Sequence, residues 1–219
     1  MKKGFIFRMT ISALLICGAL HAASAQAAAP TEQLKTTIDT VIKLLNDETL
    51  KRPEKFKERR ALLRKAIIER FDFTEMSKRS LAAQWAKRTP QEKKEFVDMF
   101  TNLLEKSYMD KIEAYTDQTI EYNGESIDND YVVVKTMVKA KDKEGIPIDY
   151  KLTKQGDQWL VYDVVVEGVS LVNNYRNQFN KIINSGSYAD LVKKMKIKEA
   201  EILQGPSSSG KKKSTKESE

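Results

Sequence analysis

Histidine and cysteine are almost missing from this chain: its 219 residues include one His and one Cys. Both of them, His21 and Cys17, fall within the first 25 residues. Those residues read as a secretory leader. Lys2, Lys3 and Arg8 make a basic start, Ile11–Leu20 a short apolar core, and Ala23-Ser24-Ala25 a small-x-small cleavage pattern. The chain expected after cleavage begins at Gln26 and has neither thiol nor imidazole. That excludes Cys and His nucleophiles, imidazole acid–base chemistry, disulfides and ordinary zinc sites together. Long apolar runs are missing as well. The leader's apolar core is far shorter than the roughly 20 residues that cross a bilayer. Cys17 follows Ile16, not the small residue that a lipidation signal places before its cysteine, so it reads as part of the leader core.

Charge of one sign is also lacking. Lys and Arg number 38 against 31 Asp and Glu, a formal net charge of +7. Loss of Lys2, Lys3 and Arg8 with the leader takes this from +7 to +4, since 7 − 3 = 4. No run interleaves Arg with aromatics, as single-strand nucleic-acid binders do. The mixed charges are a solvated surface, and the weak positive excess would also suit a protein that visits anionic membranes. The length fits one domain with a substantial core.

What is present is strong periodicity. Thr31–Asn46 places Leu34, Ile38, Val41, Ile42 and Leu45 on one helical face. Pro53–Phe71 reads as a second amphipathic helix with proline in its first turn, and Thr74–Lys87 as a shorter one. Thr89-Pro90-Gln91-Glu92 is the sharpest start signal: Thr89 as N-cap, Pro90 at N1 and Glu92 closing a capping box. The helix that follows carries Phe96, Phe100, Leu103, Leu104, Tyr108, Ile112 and Tyr115 on a broad apolar face. Near Gln118 the period falls to two. Gln118–Tyr122 is a short strand ended by Asn123-Gly124, Tyr131–Ala140 and Ile146–Lys154 alternate, and Trp159–Val166 is apolar on both faces apart from Asp163. Asp128-Asn129-Asp130, Asp142–Gly145 and Gln155-Gly156-Asp157 supply the turns, and Gly168 ends the sheet. Asp128-Asn129-Asp130 lacks the spacing of a calcium loop. Ser170 caps a further helix with Gly186 at its C-terminal end, and Tyr188–Leu203 is the last helix. From Gln204 the composition turns to Gly, Pro, Ser and Lys, a tail expected to be disordered.

Helices before and after an antiparallel meander give an α+β fold, a sheet of about four strands covered by helices. The expected organisation is a leader over 1–25, one α+β domain over 26–203 and a tail over 204–219.

Trp159–Phe179, WLVYDVVVEGVSLVNNYRNQF, resembles the C-terminal signature of the MlaC family. These are periplasmic phospholipid-binding proteins of the Mla lipid-asymmetry pathway, also called toluene-tolerance auxiliary proteins. Trp159, Tyr162, Asp163 and Val164, then Glu167-Gly168-Val169-Ser170-Leu171, match best. Phe71-Asp72-Phe73 through Trp85, followed by Phe96, Phe100, Leu103, Leu104 and Tyr108, form a second matching region. The resemblance spans most of the chain beyond the leader, in order, and the leader fits the compartment.

The resemblance implies a soluble periplasmic carrier with an apolar cavity between a curved sheet and its helices. Phospholipid is its cargo. No cofactor, metal or catalytic residue is implied. The implied partners are an outer-membrane lipoprotein–porin complex and an inner-membrane ABC transporter complex with its substrate-binding subunit. Candidates for the cavity wall are Phe100, Leu104 and Tyr108 from the helical stripe. Val132, Val134, Ile148, Tyr150 and Leu152 join them from the strand faces opposite the lysines. Read without the resemblance, each is equally an ordinary core residue.

A carrier of this kind must enclose most of its cargo. At ~0.8 kcal/mol per buried methylene, tails of about 30 methylenes carry on the order of 24 kcal/mol of burial, which a shallow groove does not replace. Two other classes fit the residues alone. Asp163, a carboxylate in an apolar strand, suits an isomerase-like enzyme on a cone-shaped α+β fold. A fully packed adaptor that bridges membrane complexes is the other.

Overall fold

The computed structural model describes residues 29–115, 117–141 and 144–204. The leader with Cys17, His21 and the Gln26 start, two residues of the Asp142–Gly145 turn, and the tail from Gly205 lie outside the described residues.

Helix α1 (Pro30–Asn46) is followed by a 3-10 turn (Pro53–Lys55) and α2 (Phe56–Ile68). The second helix stops short of Phe71 because Arg70–Asp72 joins the sheet. Asp72 N–H donates to Val161 O and Val161 N–H to Arg70 O, a short parallel bridge that closes an otherwise free strand edge. Next come α3 (Phe73–Leu81), capped by the Asp72 carboxylate, and the single-turn α4 (Ala83–Ala86). The helix expected over Thr74–Lys87 breaks at Ala82, whose φ of 49° and ψ of −125° no helix contains. The long α5 (Pro90–Glu113) starts at the expected capping box: Thr89 Oγ1 accepts from Glu92 N–H and Glu92 Oε2 from Thr89 N–H.

The sheet is an antiparallel meander in the order β1-β2-β3-β4-β5. Strand β1 (Thr119–Asp128) does not end at Asn123-Gly124; those residues form a bulge, with Gly124 at φ 106°, and pairing with β2 resumes at Glu125. Strands β2 (Tyr131–Lys139), β3 (Ile146–Gln155) and β4 (Gln158–Val166) follow expectation within a residue or so at each end. Gly168 does not end the sheet. Glu167 and Gly168, both at positive φ, make a two-residue turn into a fifth strand, β5 (Val169–Ser170). Strand β4 leaves two of its nine residues exposed against three of nine in β2, so the strand that is apolar on both faces is the best covered of the four long ones.

Ser170 caps α6 (Leu171–Ser185) by accepting from Asn173 N–H, and α7 (Tyr188–Gln204) closes the described chain. Gly186 ends α6 without adopting a left-handed conformation. A Cβ there would meet the Asp190 carboxylate, which accepts from Ser187 Oγ at the start of α7.

Three apolar clusters hold these parts together. The largest joins α3, α5, α6 and α7 through Met76, Phe96, Phe100, Phe179 and Leu191. The second joins the sheet to α1 through Val132, Val134, Leu152, Val161 and Leu34. The third joins α1, α2 and the end of α5 through Leu45, Leu63 and Met109.

Candidate functional site

Cross-strand pairing assembles one continuous apolar wall. Partners in register point to the same face. Val132 pairs with Leu152 and Leu152 with Val161; Val134 pairs with Tyr150 and Tyr150 with Val164; Thr136 pairs with Ile148 and Ile148 with Val166. An extra residue, Tyr162, is inserted where pairing skips from Leu152–Val161 to Lys151–Asp163, so Val161 and Val164 both stay in the wall. Five of the eight sequence candidates therefore share one face. Val132, Val134 and Leu152 are buried, while Ile148 and Tyr150 are half-buried.

Helix α1 lies over this wall with Leu34 and Ile38 against it. A polar clamp fixes its position. Arg70 donates to Thr37 Oγ1 at 3.0 Å, to Gln33 Oε1 at 2.9 Å and to the Trp159 carbonyl at 2.8 Å. Gln33 Oε1 also accepts from Trp159 N–H. At the far edge Thr31 Oγ1 donates to the Glu125 carboxylate. Burial pushes the Arg70 guanidinium below its ordinary value, yet arginine stays charged in proteins.

The other three candidates are placed elsewhere. Phe100 and Leu104 are buried in the helical cluster, where the Phe100 ring packs edge-on to Tyr175 at 5.1 Å and to Phe179 at 5.5 Å. Tyr108 lies at the margin of that cluster beside Tyr175, with the Lys111 ammonium 5.0 Å from its ring centre. The structure thus divides the candidates between two apolar walls. Phe71 packs against both clusters. Sequence reasoning missed the wall residues Leu34, Ile38, Phe71, Tyr122, Trp159, Val161 and Val164. Leu34 and Ile38 were visible as an i, i+4 pair; Val161 and Val164 were hidden by the bulge, which breaks the alternation.

The interior also holds phenols. Burial pushes Tyr150 up to about 12 and, with a smaller contribution from Tyr175, Tyr108 up to about 12. Tyr122 is raised further by burial and then by the carboxylate of Asp39. Its hydroxyl is buried with no hydrogen-bond partner among the described residues.

Asp163 is held by the fold on several sides. Only 4% exposed, it accepts from Ser170 Oγ at 2.7 Å and from Val172 N–H at 3.0 Å, and pairs with Lys151 Nζ at 3.4 Å. The carboxylate ties the first turn of α6 to β4. Among the described residues no helix is long and apolar enough to cross a membrane.

Comparison with known proteins settles the family. The family model described as MlaC protein matches residues 35–197. The chain belongs to the MlaC family. It is similar to the Haemophilus influenzae intermembrane phospholipid transport system binding protein MlaC, with 22% identity over 141 residues. That match covers 62% of this chain and 66% of the relative, just under two thirds of the latter's length. A solved structure, the phospholipid-binding protein from Ralstonia solanacearum in complex with a phospholipid, superposes with a TM-score of 0.73 at 26% identity. It covers 80% of this chain and 99% of that one. The matched MlaC region contains all eight candidate residues, Asp163, and Arg70, Thr37 and Trp159 of the clamp; Gln33 lies just before it.

Proposed function

We propose that this chain is a periplasmic phospholipid carrier. It holds acyl chains between the sheet wall and the helical wall and shuttles lipid between outer- and inner-membrane complexes. The observation that carries the reading is the two-walled apolar interior, with Phe71 packed against both walls. Family membership and the phospholipid bound by the Ralstonia solanacearum relative support it. Walls built from separate elements can part by rigid-body motion while every strand pair and helix persists. Tails entering there would displace side-chain contacts, not backbone hydrogen bonds. The partners are an inner-membrane ABC transporter complex with its substrate-binding subunit and an outer-membrane lipoprotein–porin complex. The leader directs the chain to the periplasm.

The carrier uses no cofactor and carries out no reaction. Support for this comes from Asp163, whose oxygens are committed to a serine hydroxyl, a backbone N–H and an ammonium. Native mass spectrometry of the exported protein, with extraction of what it holds, is the test. A phospholipid of unaltered mass is expected. A folded protein that never carries lipid would point to the adaptor class, and a chemically altered lipid to an enzyme.

A further inference from the structure

A pocket of about 260 Å³ lies against the start of α6 and is lined mainly by charged and polar side chains. Lys151 and Asp163 pair across β3 and β4, one position out of step with Tyr150 and Leu152. They therefore point to the opposite face of the sheet from the apolar wall. Arg79 reaches the pocket from α3 and Arg176 from α6.

The cations here outnumber their partners. Lys151 is matched by Asp163, and Arg79 by Glu75 at 2.8 Å. Arg176 has no carboxylate within ion-pair distance among the described residues. Its Nε–H donates to the Arg79 carbonyl at 3.1 Å, in the last turn of α3. The two arginines are held in place before any ligand arrives. Arg79 lies 4.0 Å from the Tyr162 ring centre and 5.7 Å from that of Tyr131, and those rings pack edge to face. The start of α6 adds little, because Asp163 takes Val172 N–H and Ser170 Oγ takes Asn173 N–H. Any pull on an anion comes from the side chains.

We propose that Arg79, Arg176 and Lys151 form a binding site for a phosphate group on the sheet face opposite the apolar wall. Two planar guanidinium forks and one ammonium match an oxyanion with several acceptor oxygens. Stacking on Tyr162 lowers the entropy lost when Arg79 engages. At about 260 Å³ the pocket is larger than a bare phosphate needs, so a small phosphate ester fits. The group can come from a soluble ester or from a lipid headgroup at a bilayer surface. The three cations belong to neither apolar wall, although Tyr162 and Val172 beside them pack with the helical cluster.

The test uses the full exported chain, isotope-labelled, at constant ionic strength. Inorganic phosphate and glycerol phosphate are titrated against chloride while amide and arginine Nε–H signals are followed. Saturable shifts confined to Ser170–Asn173, Arg79 and Arg176 are expected. Arg176→Gln and Arg79→Gln should each weaken binding by about tenfold or more, the loss of one charge-assisted contact. Arg176→Lys should fall between, and Lys106→Gln, on the α5–α7 contact, should bind as wild type. The wild-type titration stands even where a variant folds poorly. Flotation with phosphatidylglycerol vesicles separates the sources. If the arginine variants lose vesicle binding, the ligand is a headgroup; if only soluble esters respond, it is a free ester. Shifts spread over surface lysines, reproduced by chloride, or saturating elsewhere would overturn the proposal. Lipid co-purification by Arg176→Gln should be unchanged, which keeps this result separate from the carrier test.

Discussion

Replacing Asp163 with alanine is expected to destabilise the fold without abolishing lipid carriage. The side chain makes two hydrogen bonds and an ion pair, and the residue is 4% exposed. Hydrogen bonds to a charged group contribute about 1.5–3 kcal/mol each. The loss is partly recovered. Ser170 Oγ keeps its cap on Asn173, and Lys151, with 35% of its side chain exposed, can turn to water. Val172 N–H, buried in the first turn of α6, recovers nothing. The net cost is about 3 kcal/mol for Asp163→Ala, at the lower end of the 3–5 typical of a wholly buried broken pair. Asp163→Asn retains an acceptor for Val172 N–H and should cost about 1–2 kcal/mol. For a chain of this size, at roughly 2–4 °C per kcal/mol, alanine should lower Tm by about 6–12 °C. Urea unfolding followed by circular dichroism gives the free energies, and lipid extraction from the same preparations gives occupancy. An alanine variant within about 0.5 kcal/mol of wild type, the range of an ordinary surface substitution, would refute the staple. A lipid product that vanishes in Asp163→Asn would refute carriage without chemistry.

Ala82→Gly should stabilise by about 1 kcal/mol, because a non-glycine residue at φ 49°, ψ −125° stores strain that exceeds glycine's entropy cost; an unchanged or lower urea midpoint would contradict this. Tyr122→Phe should raise stability by about 1–3 kcal/mol, since the buried hydroxyl has no partner among the described residues, and a loss of stability would reveal a partner for it. Ile148→Glu, at a half-buried wall position, should leave a folded protein with reduced phospholipid, because the charge is desolvated among tails; a folded variant with full occupancy would remove this sheet face from the site. Raised tyrosines make the fold sensitive to alkali. Tyr108 and Tyr150 keep their protons up to about 12 when folded but only to about 10 when unfolded. Above the lower value the unfolded chain binds fewer protons, so stability is full below it and falls as pH rises toward the upper one. Tyrosinate absorbance should show these phenols ionising late and together with unfolding; early ionisation without unfolding would contradict their burial.

Local chemistry was legible in the chain, and long-range placement was not. The start of α5 was readable at Thr89–Glu92 because a capping box closes within four residues. The Ser170 cap was readable for the same reason, and the alternation of β2 and β3 marked their lysine-free faces. The eight candidates were recognisable as apolar and inward, and the five on the sheet did meet on one face. Asn123-Gly124 looked like a turn because its backbone preference is that of a turn. Pairing with the full length of β2 made it a bulge instead, and a strand's partner is not written in its own residues. The bulge at Tyr162 likewise shifted which side chains of β4 join the wall. The aromatic stripe of α5 announced burial but not its direction. A helix with a broad apolar face can pack on a sheet or on other helices, and only the packing of α3, α6 and α7 around Phe96 and Phe100 placed it among helices. The sequence alone therefore determined the main helices and strands and which side chains avoid water, since these follow largely from contacts within a few residues. The tertiary structure decided which apolar faces oppose one another and where Arg79, Lys151 and Arg176 converge, since those depend on residues about 25 to 100 positions apart being closed into one unit at the entropic expense of the intervening loops.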